Sequence, residues 1–269
     1  MGLGKNIWVG ALGAALALLL APAMQAQDAK QIVQQAVSTQ LAADRDDNSH
    51  WRYLRHEDGG NVFVIVETEH GAISRHVLEH GKPASAAVLA EDDRNTQKFI
   101  HDPAAQEKQR RNGEHDDKSA VELLNLMPQA FIWKVESQTP DSITLSYRPN
   151  PDFSPPDMEA RVMCAMTGTM TVTTQGHRIK TFKGRLDNDV TIGFGFLARI
   201  KAGSTFDVER REFGPGVWQI AETHVHISGH ALFFKTIGEQ EDEVKTDFSP
   251  VPPGTTLEQA VELLKQPAK

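Results

Sequence analysis

The sequence is short of the residues that staple, anchor or catalyse. Cysteine occurs once, at Cys164, so no internal disulfide can form. No long apolar run follows residue 23, which excludes a later membrane-spanning helix. The net charge is -8 and no basic stripe appears, which argues against nucleic acid as a partner. There is no Gly-x-Ser-x-Gly elbow, no His-Glu-x-x-His pair and no Walker loop. Carboxylates are plentiful, but none pairs with another inside an apolar strand pattern. A triad assembled across the fold would leave no trace in chain order.

What is present begins with a charge pattern at the start. Lys5 precedes an uncharged run rich in Leu and Ala over 7–23, and the first acidic residue is Asp28. That order is a positive n-region followed by an apolar h-region. Ala21-Pro22-Ala23 fits a small-x-small cleavage site, and Ala26 offers a second, so the mature chain is expected to begin at Met24 or Gln27. The alternative is a membrane anchor, but the run is at the short limit for a span and no basic stop-transfer cluster follows. No cysteine stands near the cut to accept a lipid anchor. The expectation is a 1–26 signal peptide and a soluble, periplasmic or otherwise exported single domain over 27–269.

The periodicities place the elements. Ile32, Val33, Ala36, Val37 and Leu41 give one apolar face, predicting a helix over 28–43. The segments 50–56, 62–67 and 72–79, separated by Asp58-Gly59-Gly60-Asn61 and His70-Gly71, read as an antiparallel meander. A charged insert over 84–118 reads as exposed helix, broken at His101-Asp102-Pro103 and again at Asn112-Gly113. Ser119 and Glu122 suggest a capped helix that Pro128 ends. Beyond it, 131–135, 142–148, 159–174, 178–188, 206–213, 217–228 and 230–237 read as strands. Thr255 with Glu258 opens a final helix with Leu257, Val261 and Leu264 on its apolar side.

Strand parity separates a dry face from a wet one. Val162, Cys164, Met166, Met170 and Val172 share one side, and Arg161, Thr167, Thr169, Thr171 and Thr173 share the other, with Met163 as an exception. Val225 and Ile227 read as inside, and Glu222, His224 and His226 as outside. A long one-sided sheet with few helices must curl to hide its apolar face. The fold class expected is α+β, a curved antiparallel half-barrel sheet with helices covering the concave face.

Several blocks resemble a family of exported bacterial proteins that is itself similar to the outer-membrane lipoprotein carriers, the lipoprotein localisation factors A and B. The resemblance is carried by His50-Trp51-Arg52-Tyr53, Gly81-Lys82-Pro83 and Tyr147-Arg148-Pro149-Asn150-Pro151. Gly168-Thr169-Met170 and Arg185-Leu186-Asp187-Asn188-Asp189-Val190 add to it, as do the segments 193–200, 203–206, 217–220 and 229–235. It implies a half-open barrel that holds acyl chains or lipid-like ligands on its concave face. The charged insert departs from it.

Three functions follow from this reading. The leading one is a non-enzymatic binding protein for a lipid, acyl chain or lipoprotein. The cavity candidates are Met166, Met170, Phe182, Phe206, Val225 and Ile227, and no cofactor is expected. The second is an envelope interaction or scaffolding module with a closed core, using the charged insert to dock an envelope partner. The third is a metal-dependent envelope enzyme on His224 and His226. Two ligands fall short of the three or four that zinc takes, so a solvated polar face is the simpler reading of that pair. Gly193-x-Gly195-x-x-Ala198 imitates a dinucleotide fingerprint, but bulky Phe194 and Phe196 stand where a pyrophosphate would approach. Cys164 reads as a buried small hydrophobe, and Trp51, Trp133 and Trp218 as core.

Overall fold

The computed structural model describes residues 14–192, 198–231 and 235–267. Among these described residues five α-helices accompany thirteen strands: α1 (Ala14–Asp46), α2 (Ala86–Ile100), α3 (Pro103–Ala130), α4 (Met158–Cys164) and α5 (Leu257–Leu264). The strands are β1 (His50–Glu57), β2 (Asn61–Thr68), β3 (Gly71–Glu79), β4 (Lys82–Pro83), β5 (Phe131–Gln138), β6 (Ser142–Pro149) and β7 (Met166–Thr173). They continue with β8 (Ile179–Leu186), β9 (Val190–Ile192), β10 (Ala198–Ile200), β11 (Thr205–Gly214), β12 (Val217–Ala231) and β13 (Lys235–Val251). They form one antiparallel sheet in the order β4-β3-β2-β1-β13-β12-β11-β8-β7-β6-β5, with β10 and β9 added beside β12. The path does not close, so this is the expected α+β half-barrel. Among the described residues no helix is long and apolar enough to cross a membrane.

The N-terminal helix carries its apolar stripe as expected. Ala29, Val33, Ala36 and Val37 are buried in one core with Phe131, Trp133, Leu145, Tyr147, Met166, Met170 and Val172. Burying the larger of these side chains, such as Val33, Leu145 and Met170, contributes about 1.5–3 kcal/mol each. A second core lies on the other face of the meander, where Leu54, Val62, Val64 and Val66 pack under α5. Arg52, itself buried, fastens that helix by donating Nε to Leu263 O at 3.0 Å and Nη2 to Gln266 O at 2.6 Å. Those carbonyls lie in the last turn of the helix and just past its end, where carbonyls run short of intrahelical partners.

Several expectations are corrected. Residues 159–164 are not strand: Asp157 caps α4 by accepting the Ala160 N–H at 2.8 Å. Ala160 and Cys164, four apart, are both buried, so the Met163 exception to strand parity was a helical residue in the wrong frame. Burial, then Asp157, pushes the Cys164 thiol up to about 11, which suits an inert core residue. Helix α3 runs straight through Asn112-Gly113, where Glu107, Arg110, Arg111 and Glu114 pair at helical spacing. Pro128 lies inside its last turn rather than ending it. The final helix is capped by Thr256 with Gln259, not Thr255 with Glu258. Gly229 does not end its strand; β12 runs on to Ala231, and a Cβ there would meet the backbone of Arg199 on neighbouring β10. The strand expected at 230–237 is replaced by the end of β12 and by β13, seventeen residues long.

The charged insert has a structural task. Strand β3 lies near the end of the sheet, and among the described residues only the two of β4 pair with its outer side. Gln109 of α3 stands in for a neighbouring strand, accepting the Ala72 N–H at 2.8 Å and donating to Ala72 O at 3.1 Å. Asp92 of α2 accepts the His76 N–H at 2.8 Å. Phe99 and Ile100 pack on the second core. The insert therefore shields a sheet edge that would otherwise invite foreign strands.

Candidate ligand-binding face

The pairing register writes out the concave face. Directly opposed residues across seven strands run Leu145, Met170, Phe182, Val208, Thr223, Glu243 and Glu57. The next row on the same face runs Tyr147, Gly168, Gly184, Phe206, Val225 and Glu241. Ile227 opposes Glu239 in a third. Each row passes from apolar to acidic as it crosses the sheet.

Helix α1 divides the apolar part. Met170 is fully buried and Met166 is 3% exposed, both within the α1 core. Phe182, Phe206 and Ile227 are only half-buried against that core, and Val225 is half-buried beside them. The six cavity candidates thus share one face, but two are sealed and four lie at its border. Rings continue the border as a chain: Tyr147 to Phe182 at 5.3 Å and Phe182 to Phe206 at 4.9 Å between centroids. The Tyr147 hydroxyl donates to Lys183 O at 2.9 Å, and burial raises its pKa. It lies over Gly168 and Gly184, where an added Cβ would come within 2.8 Å and 2.6 Å of the hydroxyl oxygen. Only glycine lets that ring lie flat on the strands.

The far side of the face is charged and only partly wet. The Arg55 guanidinium lies 2.9 Å from Glu57 and 3.7 Å from Glu243, and Lys245 lies 3.0 Å from Glu243. Arg55 also stacks over Phe63 at 5.1 Å, and Lys245 over Tyr53 at 5.2 Å. Arg55 Nε is buried and makes no hydrogen bond among the described residues. Nearby, Glu67 accepts the Trp51 N–H at 3.1 Å, and burial raises its carboxyl above the usual range. Glu243 and Lys245 escaped the sequence reading because 239–247, acidic and alternating weakly, did not register as a strand. The partner strands on both sides make it one.

Helix α3 spans the open side. Near its start Gln109 holds β3, and near its end Met127 O accepts the Trp133 indole N–H of β5 at 3.0 Å. Between these contacts residues 110–118 are exposed throughout.

The histidine pair sits on the opposite, convex face, as strand parity implied. His224 Nδ1 and Asp242 Oδ1 are 2.6 Å apart, as are His226 Nε2 and Asp242 Oδ2. Hydrogen bonding to Asp242 raises the His224 pKa, and bonding to His226 and then His224 lowers that of Asp242. Among the described residues no group of three side chains is placed to hold a metal ion. The His230 side chain and the 193–197 part of the glycine motif lie outside the described residues. The flanks of that motif, β9 and β10, pair with each other as strands, which is not the strand-to-helix setting a dinucleotide needs. A cavity of about 130 Å³ lies on the convex side between Arg75, Asp93, Thr96, Gln97, Val261, Leu264 and Lys265. It is small and charged, unlike an acyl-chain site.

Comparison with family models, with curated proteins and with solved structures finds no match to this chain.

Proposed function

We propose that the protein is a non-enzymatic, exported binding protein for an amphiphile: a lipid, an acyl chain or the acylated end of a lipoprotein. The observation that carries this reading is the graded concave face. Half-buried Phe182, Phe206, Val225 and Ile227 border a sealed core on one side and the Arg55–Glu243–Lys245 group on the other. An apolar tail laid on the first set gains about 0.8 kcal/mol per methylene removed from water. A polar head then meets charged groups rather than more core. The exposed middle of α3 acts as a strap over this mouth, and lifting it releases the ligand. Export rests on the n-region and h-region at the start of the sequence.

The test is saturable binding of a fluorescent fatty acid to the full chain, repeated with Ile227→Asn and Val225→Asn. Both substitutions touch half-buried sites and leave the α1 core intact. Weaker binding by two folded variants supports the reading; unchanged binding, or none by the wild type, removes it. The sealing of Met166 and Met170 favours a second reading, an envelope scaffold that binds proteins only. That reading predicts no probe binding at all.

A further inference from the structure

The charged insert and the final helix meet around an opening. Arg75 of β3, Asp93, Thr96 and Gln97 of α2, and Val261, Leu264 and Lys265 of α5 line a cavity of about 130 Å³. An apolar cavity of about 150 Å³ holds one benzene ring, so about six heavy atoms fit here. The site is separate from the concave face and does not depend on the amphiphile reading.

The walls set the chemistry. Arg75 and Lys265 bring two cations, and Asp93 is the one carboxylate of the lining. Asp93 lies 3.1 Å from Arg75 Nε, and no second acid pairs with Arg75 among the described residues. The partner of Lys265 is Glu262 at 3.4 Å, a side chain 75% exposed and well screened by water. Two cations against one engaged carboxylate leave a positive charge over. The C-terminal end of a helix ordinarily repels an anion. Here the buried Arg52 guanidinium holds Leu263 O and Gln266 O, which offsets the negative end of α5. Thr96, only 8% exposed, and Gln97 add polar groups to the lining, and Val261 and Leu264 add an apolar side.

We propose that this cavity binds a small monocarboxylate of about four carbons. Its carboxylate meets Arg75 and Lys265, and its short tail lies against Val261 and Leu264. A longer acyl chain exceeds the volume. Inorganic phosphate leaves the apolar side uncovered. An α-amino acid brings an ammonium group to a lining whose single carboxylate is already engaged with Arg75. A ligand held here bridges α2 to α5, and so ties the insert to the second core.

The experiment uses the full chain with isotope-labelled leucine and valine methyl groups, titrated with sodium butyrate at constant ionic strength. The Val261 and Leu264 methyl signals report the cavity. Expected are saturable shifts of both signals, and about tenfold weaker binding of butyramide, which keeps the size and loses the charge. Inorganic phosphate and 2-aminobutyrate also bind more weakly than butyrate. Lys265→Gln, at an exposed side chain, weakens butyrate about five- to tenfold and leaves butyramide unchanged. Val261→Phe, checked for folding by its melting curve, fills the cavity and removes the binding of both. A fluorescent fatty acid is not displaced by butyrate, so this site and the concave face stand or fall separately. Equal binding of butyrate and butyramide overturns the proposal. So do tighter binding of phosphate or 2-aminobutyrate, shifts that never saturate, or a Lys265→Gln chain that binds butyrate as the wild type does.

Discussion

Replacing Met170 by glutamate separates the sealed part of the concave face from its border. Met170 is fully buried, opposed by Leu145 on one side and Phe182 on the other. Loss of the methionine packing costs about 2–4 kcal/mol. A carboxylate there has no donor, so it escapes by staying protonated. Holding a glutamic acid neutral at pH 7, against an ordinary pKa near 4.3, costs about 3.7 kcal/mol at 1.36 kcal/mol per unit. Together these approach the whole stability of an ordinary domain, about 5–15 kcal/mol. The sign in pH follows. The folded-state pKa is raised, so the added penalty is absent below the unfolded pKa and grows as pH rises through the interval above it. Thr169→Glu is the control, one residue away on the wet face and opposite Lys183. The assay is near-UV circular dichroism melting at pH 4.5 and 7.5, with Met170→Gln as the uncharged reference. Met170→Glu should match Met170→Gln at pH 4.5 and melt far below it at pH 7.5, while Thr169→Glu stays near wild type. A Met170→Glu variant within a few degrees of wild type at pH 7.5 would refute the sealed core.

Gly168→Ala should destabilise by about 2–4 kcal/mol in urea unfolding, because its Cβ meets the Lys183 backbone and the Tyr147 hydroxyl. Gly113→Ala, inside α3 with nothing near its Cβ, should instead stabilise by up to about 1 kcal/mol. Arg52→Met should cost about 2–4 kcal/mol by freeing the carbonyls at the end of α5, and fast amide exchange in Leu257–Leu264 would report it. His224→Gln tests the histidine pair: the raised His224 pKa contributes stability below about pH 6.5 that fades as pH rises, and the lowered Asp242 pKa contributes above about pH 4. The melting temperature gap between wild type and His224→Gln should thus be larger at pH 5.5 than at pH 8; a gap that widens with pH contradicts the pairing.

Much of this was legible in the residues. Strand parity alone put Met166, Met170, Val225 and Ile227 on one face and His224 and His226 on the other. The helical spacing of Val33, Ala36 and Val37 marked the face that seals Met170. Three things were hidden for physical reasons. The helix at Met158–Cys164 is set by one capping aspartate after a proline-rich loop, and over seven residues helix and strand periods are hard to tell apart. Strand β13 carries acidic residues that face charged partners on its neighbours, Asp242 against His224 and His226 and Glu243 against Arg55 and Lys245, so composition alone pointed away from a strand. The edge-shielding by Gln109 depends on a contact 37 residues distant in sequence, which no local pattern contains.

The account stands most directly on what occupies the concave face. Native mass spectrometry of protein purified from its own cells, followed by organic extraction, measures it. The account predicts a mass excess that matches an extractable acyl-bearing amphiphile and that falls away in Ile227→Asn. A folded protein at its bare sequence mass, from which no amphiphile is extracted and to which no fatty-acid probe binds, would contradict it.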